Sequence, residues 1–245
     1  MRWLLASALV LLPAAAMAQG LPALTLTEGA EGGTTYSLSL QIVALMTALT
    51  VLPSIVLGMT AFTRIIIVLS ILRQALGTQQ TPPNQVLIAL SLFLTFFVMQ
   101  PTLTEFYDKA MSPYLDGQMP PNEAIATGSE IIKGFLIENT RQNDLMMFQQ
   151  LAGDDAYASP QEVPLSVLLP AFMTSELKTA FQIGFLIFLP FLVIDMVVAS
   201  ILMALGMMML SPMLVSLPIK LLLFVLVDGW ALTVGSLAAT YGVGG

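Results

Sequence analysis

The chain has 245 residues, of which 57% are hydrophobic and 9% charged. A soluble domain carries about 25% charged residues, so this composition belongs to a membrane-associated protein. Cysteine and histidine are both absent, which removes disulfides, thiolate metal sites, cysteine nucleophiles and the Ser-His-Asp arrangement; the net charge of −7 argues against nucleic acid as a partner.

Residues 1–18 have the pattern of a secretory signal peptide. Arg2 precedes the apolar run Trp3 to Val10, and Ala16-Met17-Ala18 supplies an A-x-A end. An uncleaved helix is the alternative. Residues 19–37 are rich in Gly and Thr with little periodicity, and read as a flexible leader.

Residues 38–103 read as a first helical hairpin. Leu38 to Leu72 is too long for one span of about 20 residues. Pro53 and Gly58 divide it into two pieces or bend it. The polar linker Arg73 to Asn84 follows, in which Gly77 can end one helix and Pro82-Pro83 can start the next. The second arm is Gln85 to Leu103.

Residues 104–164 hold ten acids and three bases. Ile131, Ile132, Phe135 and Leu136 recur at helical spacing, as do Leu145, Phe148 and Leu151. The region reads as a small helical subdomain with loops at Pro113, Pro120-Pro121 and Gly153-Asp154-Asp155. Arg64 and Arg73 flank the first hairpin's turn. The positive-inside tendency therefore directs that turn to the cytoplasm and the acidic region outward.

Residues 165–241 read as a second helical hairpin, and 242–245 as a tail. Gly184, Pro190, Gly206, Pro212 and Pro218 are expected to bend its helices. Small residues such as Ala180, Gly184, Ala199 and Gly235 let helices approach closely. Between Gly206 and Pro212 stand Met207, Met208 and Met209, three of the chain's 16 methionines. Successive helix positions differ by about 100°, so three adjacent Met cannot share one face of a regular helix. Two readings stand: a lipid-facing helix end, or a site surrounded by protein where soft thioethers close a narrow passage. No strand pattern of useful length occurs, and the fold class is all-α, built of long bent membrane hairpins.

Charges inside apolar blocks need partners or a wet path, because each costs at least about 2.5–3.5 kcal/mol at mid-membrane. They are Arg64, Arg73, Glu176, Lys178, Asp195, Lys220 and Asp228. Structural pairing is expected, with Glu176 and Lys220 as the preferred pair since both open long apolar runs. The alternative is proton transfer through Asp195 and Asp228, as in a secondary transporter or proton channel. A passive membrane scaffold is a further alternative. No catalytic constellation, cofactor or metal site is expected, and no Walker-type GxxxxGK[ST] loop is present.

Three long strings carry a family resemblance. They are MTAFTRIIIVLSILRQALGTQQTPPNQVLIALSLFLTFFVMQP, LLPAFMTSELKTAFQIGFLIFLPFLVIDMVVASILMALGMMMLSP and LPIKLLLFVLVDGW. Over roughly Leu40 to Trp230 the chain resembles the FliP family of the flagellar type III export gate. It is also similar to the related virulence injectisome component. The resemblance implies a subunit of the bacterial inner membrane and its periplasmic face, in the flagellar basal body. It implies a ring or cone, a pentamer of this subunit, joined by FliQ and FliR, with FlhB and FlhA on the cytoplasmic side and the rod base above. Unfolded export substrates would pass through it, and membrane lipid would surround part of it. It implies that Met207, Met208 and Met209 form a gasket around the closed pore. It implies that Glu176 and Lys220 meet between neighbouring subunits. It also implies that much of the assembled cone sits above the bilayer plane.

Overall fold

The computed structural model describes residues 27–28, 34–35, 38–78, 80–154, 157, 159–207 and 209–242. The expected signal peptide (1–18), most of the leader, Met208 and the last three residues of the tail lie outside the described residues. The fold is all-helical, as composition and periodicity predict. A minimal ladder in the leader, β1 (Thr27–Glu28) against β2 (Thr34–Thr35), is antiparallel.

The chain divides into two compact units, Met1–Ser54 and Ile55–Gly245. The first holds the ladder and most of α1 (Leu38–Gly58), which is continuous through Pro53. Its described side chains from 42 to 54 are all exposed, apolar ones included. Thr47 and Thr50 turn their hydroxyls back onto the carbonyls of Val43 and Met46, at 2.8 and 2.6 Å. This back-bonding satisfies each hydroxyl within the helix, with no outside partner needed.

The second unit is built on α2 (Phe62–Ala75). Ala61, Ile65, Val68, Leu72 and Ala75 recur at helical spacing and are at most 1% exposed. This helix packs chiefly on α7 (Leu165–Ala204), and also on α3 (Asn84–Phe106). The two expected hairpins thus meet through α2 and α7. Gly77 ends α2 in the left-handed region (φ 80°), and Pro83 caps α3, as the linker's sequence predicts. Arg73 Nη1 holds the linker by donating to Pro82 O (3.1 Å) and Asn84 Oδ1 (2.7 Å).

Helix ends differ from the expected block limits in two places, and the helices run through the residues expected to bend them. The second arm does not stop at Leu103, and Pro113 is not a loop. Helix α3 runs on through a π turn (Tyr107–Met111) into α4 (Ser112–Leu115), giving one helical stretch Asn84–Leu115. The Ser112 N–H reaches back five residues to Tyr107 O. The widened turn makes room for the Pro113 ring, which would otherwise clash with a carbonyl one turn earlier. Next, α7 is unbroken over 40 residues through Pro170, Gly184 and Pro190, and α8 (Pro212–Leu226) runs through Pro218. Each proline removes one N–H, and the rest of the ladder holds because apolar surroundings offer its carbonyls no other donor. The last block, in contrast, does break. Helix α9 (Gly229–Ala239) leaves α8 at 63°. Asp228 forms the corner in the left-handed region (φ 50°). A Cβ on Gly229 would lie 2.2 Å from the Phe224 ring, so only glycine fits there.

The acidic region is helical as its periodicity predicts, with α5 (Pro121–Glu138) and α6 (Gln142–Ala152). The loop expected at Pro120-Pro121 ends at Pro120, with Pro121 opening α5, and Gly153 (φ 75°) closes α6. A short 3₁₀ turn (Pro160–Glu162) leads into α7.

Asn84–Leu115 and Leu165–Ala204 are each long and apolar enough to cross a membrane. The pairs α1 with α2 and α8 with α9 pass the same test only when each pair is taken together. A larger core joins α2, α3, α5, α7 and α9 around Ile65, Leu69, Leu136 and Phe172. A smaller one gathers Leu72, Ala75, Leu76, Phe191 and Phe224.

Glycine at 184 sets the distance between α2 and α7. A Cβ there would lie 2.4 Å from Ile71 Cδ1 and 3.2 Å from Ile71 Cβ. Ile71 is β-branched and stiff on a helix. Gly184→Val should therefore destabilise the chain by about 1–3 kcal/mol. Thermal unfolding in detergent should show the loss, and adding Ile71→Ala should recover part of it.

Candidate functional site

The methionine run lies in the turn joining α7 to α8. Gly206 (φ 73°) stops α7. Its N–H bonds to Met203 O (3.0 Å), and the Met207 N–H reaches Leu202 O (2.9 Å). These two bonds are a Schellman cap, the usual ending for a helix followed by left-handed glycine. Ser211 and Pro212 then start α8. The chain therefore leaves the helix at Met207. Met209 is fully exposed and Met207 is 46% exposed.

The buried charges form two clusters. In the first, Arg64 from α2 meets Glu176 from α7. Arg64 Nε donates to Glu176 Oε2 at 3.0 Å and Nη2 donates to Oε1, a two-pronged contact. The Tyr241 hydroxyl donates to Glu176 Oε2 at 2.6 Å. The Tyr241 ring lies under the guanidinium, 3.9 Å from Cζ to centroid, so it adds a cation–π contact. Arg64 Nη1 also donates to Thr240 Oγ1 at 3.0 Å. Arg64 is 4% exposed and Glu176 is fully buried.

The second cluster joins three helices. Lys220 Nζ on α8 donates to Asp195 Oδ2 on α7 (2.6 Å) and to Ala75 O at the end of α2 (3.1 Å). Ser216 Oγ donates to Asp195 Oδ1 (2.6 Å). Within one chain, then, Glu176 is paired with Arg64 and Lys220 with Asp195. A Glu176–Lys220 contact between subunits would have to compete with both pairs. The chain also does not bring Asp195 and Asp228 into one cluster. Asp195 is a structural partner, whereas the exposed Asp228 carboxylate has no partner among the described residues.

Lys178 faces outward to the acidic region. Its Nζ lies 3.5 Å from Asp144 Oδ1, while Asp144 Oδ2 is buried without a hydrogen-bond partner. The Arg141 N–H donates to Ser175 Oγ (2.9 Å), and its Nη2 donates to Thr179 Oγ1 (3.0 Å) and to Gln182. One stretch of α7 thus holds α6 on one side and α2 on the other. Tyr241, Thr240 and Ser216 carry these clusters and escaped the sequence reading. Only Ser216, one helical turn before Lys220, gave a local signal. Among the described residues no three potential ligands gather as a metal site.

The model of the FliP family matches residues 45–237. The chain belongs to the FliP family. It is 79% identical over 222 residues to the flagellar biosynthetic protein FliP of Cereibacter sphaeroides, covering 91% of this chain and 73% of that one. It is 56% identical to the same protein of Pectobacterium carotovorum subsp. carotovorum (90% and 86%) and 53% identical to that of Bacillus subtilis strain 168 (84% and 93%). Family membership and apolar helices together make it a membrane component of flagellar biosynthesis and export. The matched span of the FliP family includes the methionine turn, Arg64, Glu176, Asp195 and Lys220, and ends before Thr240 and Tyr241.

Removing one partner of a buried ion pair strands the other charge, at about 3–5 kcal/mol. Arg64→Leu or Glu176→Leu alone should lower thermal stability in detergent by that order. The double variant should lose less than either single change, since it strands nothing. A double variant as unstable as the worse single would remove the Arg64–Glu176 pair from the account.

Proposed function

We propose that this chain is a core subunit of the flagellar type III export gate. Several copies, five by family resemblance, surround a channel through which unfolded flagellar proteins cross the bacterial inner membrane. FliQ and FliR complete the ring, FlhB and FlhA meet it on the cytoplasmic side, and the acidic region with α5 and α6 faces the periplasm and the rod base. The leading segment 1–18 acts as a signal peptide. The chain performs no chemistry of its own.

The observation that supports this reading is the bare methionine turn. A Schellman cap throws Met207 and Met209 off the end of α7, and Met209 is fully exposed in its own chain. Exposed apolar groups at a hairpin tip need a cover. Copies of the same tip meeting at one axis supply it. Unbranched thioether chains fill an irregular gap and re-pack around a passing polypeptide of any sequence. At rest they exclude water and ions as a hydrophobic constriction does.

Replacing Met207, Met208 and Met209 together by alanine should leave assembly intact and make the membrane leaky to small ions. Flux across vesicles holding the assembled complex reads this directly. Unchanged permeability in an assembled complex would count against a seal. The Glu176–Lys220 contact between subunits has its own test. If it governs assembly, Glu176→Lys with Lys220→Glu should restore rings that either change alone abolishes. If the pairing within the chain governs, only Arg64→Glu with Glu176→Arg should do so.

A further inference from the structure

We propose that Arg73 of one copy pairs with Asp228 of the next, and that this contact joins neighbouring subunits head to tail. The inference rests on the reading of the chain as a ring-forming subunit. It starts from the charges in the apolar segments. Arg64 takes Glu176, Lys220 takes Asp195, and Lys178 takes Asp144. One base and one acid remain, Arg73 and Asp228, and neither has an opposite charge among the described residues.

Arg73 is half-satisfied in a particular way. Its described bonds, to Pro82 O and Asn84 Oδ1, both leave from Nη1. Nε and Nη2 remain, and these two form the fork that takes a carboxylate with two parallel bonds. Arg73 lines an open groove of about 480 Å³ on α2 with Ile66, Ile67, Ser70, Ile71 and Gln74. Asp228 has the reverse character. It stands at the convex corner between α8 and α9, exposed, with Val225 and Leu226 74% exposed beside it and Trp230 40% exposed. A carboxylate alone on an apolar edge is costly unless something meets it. The backbone there is left-handed, a conformation that glycine takes more readily than aspartate.

The two surfaces therefore complement each other in charge: a cation beside a groove that three isoleucines share with Ser70 and Gln74, and an anion on an exposed apolar corner. They lie on different parts of one chain. The pair within a single chain is not made, and the bond to the next copy leaves a free groove and a free corner. Such heterologous contacts close into rings when the rotation fits.

The chain has no cysteine, so thiol chemistry reports only on introduced sites. Two tagged copies, one Arg73→Cys and one Asp228→Cys, are expressed together in membranes and treated with a short bis-maleimide. A product carrying both tags is expected. In native mass measurements, Arg73→Glu or Asp228→Arg should each lose the homo-oligomer, and the two together should restore it. Asp228→Gly serves as a folding control: it should keep its thermal stability, because glycine suits φ 50°, while still weakening the ring. An intact homo-oligomer with no two-tag product and no restoration overturns the pair and leaves the ring standing. Cross-linking of the Asp228→Cys copy to a different protein instead also overturns it. Absence of any homo-oligomer in the unaltered protein removes the ring and the pair together.

Discussion

The contact between Arg64 and Glu176 fixes how α2 and α7 meet, and α3, α5, α6 and α8 each pack on one of those two helices. In lipid, apolar side chains gain little from one another that the acyl chains would not supply. A helix such as α7, apolar around most of its circumference, could slide or rotate against α2 at small cost. A two-pronged guanidinium–carboxylate contact in a fully buried site cannot. Desolvating both charges is expensive, and good geometry with extra hydrogen bonds is needed to offset it. Glu176 receives two donors from Arg64 and a third from Tyr241. We read the pair as a register device more than a source of net stability.

The second cluster repeats the same construction. Lys220 takes a carboxylate on α7 and also a carbonyl at the C-terminal end of α2, where the last carbonyls have no partner in their own helix and the dipole is negative. Arg64 likewise takes a carboxylate on α7 and the end of α9, at Thr240. Each buried cation therefore ties a helix end to a neighbouring helix face. Because Glu176 and Asp195 both lie on α7, that helix carries the positions of α2, α8 and the segment after α9.

Much of this was legible in the residues. Gly77 and Pro82-Pro83 marked the first turn, Gly206 and Pro212 marked the methionine turn, and Ala180 and Gly184 marked the face that meets α2. Local chemistry decides those features. The partners of the buried charges were not legible, because Arg64 and Glu176 are 112 positions apart and nothing in either neighbourhood encodes the other. Prolines inside the apolar runs do not mark the helix ends here. Pro190 and Pro218 sit inside unbroken helices, whereas the true break in the last block falls at Asp228, which carries no proline. There the local conflict is between Phe224 and any side chain at 229, a packing event that sequence spacing does not display.

Length adds a constraint on what surrounds the chain. At about 1.5 Å per residue, the 40 residues of α7 extend roughly 60 Å, about twice the hydrocarbon thickness of about 30 Å. Fitting it into lipid alone would need a tilt of about 60°, well outside the usual range of up to about 40°. Yet exposed apolar side chains continue along it, from Leu165 and Leu177 through Phe185 to Ile201 and Met203. The part beyond the bilayer must therefore be covered by other protein. On the proposed function, neighbouring copies provide that cover, and it bears on the methionine turn as well. The α7–α8 hairpin is pinned at Asp195 and Lys220, about two and a half helical turns before α7 ends. Beyond the pin, Ile201, Met203, Leu205 and Leu214 are exposed, so the chain itself does little to brace the tip. Its backbone is set by the Schellman bonds, while its side chains are left free. On the proposed function, a seal built this way would yield through thioether rotation while the helices carrying it stay in place.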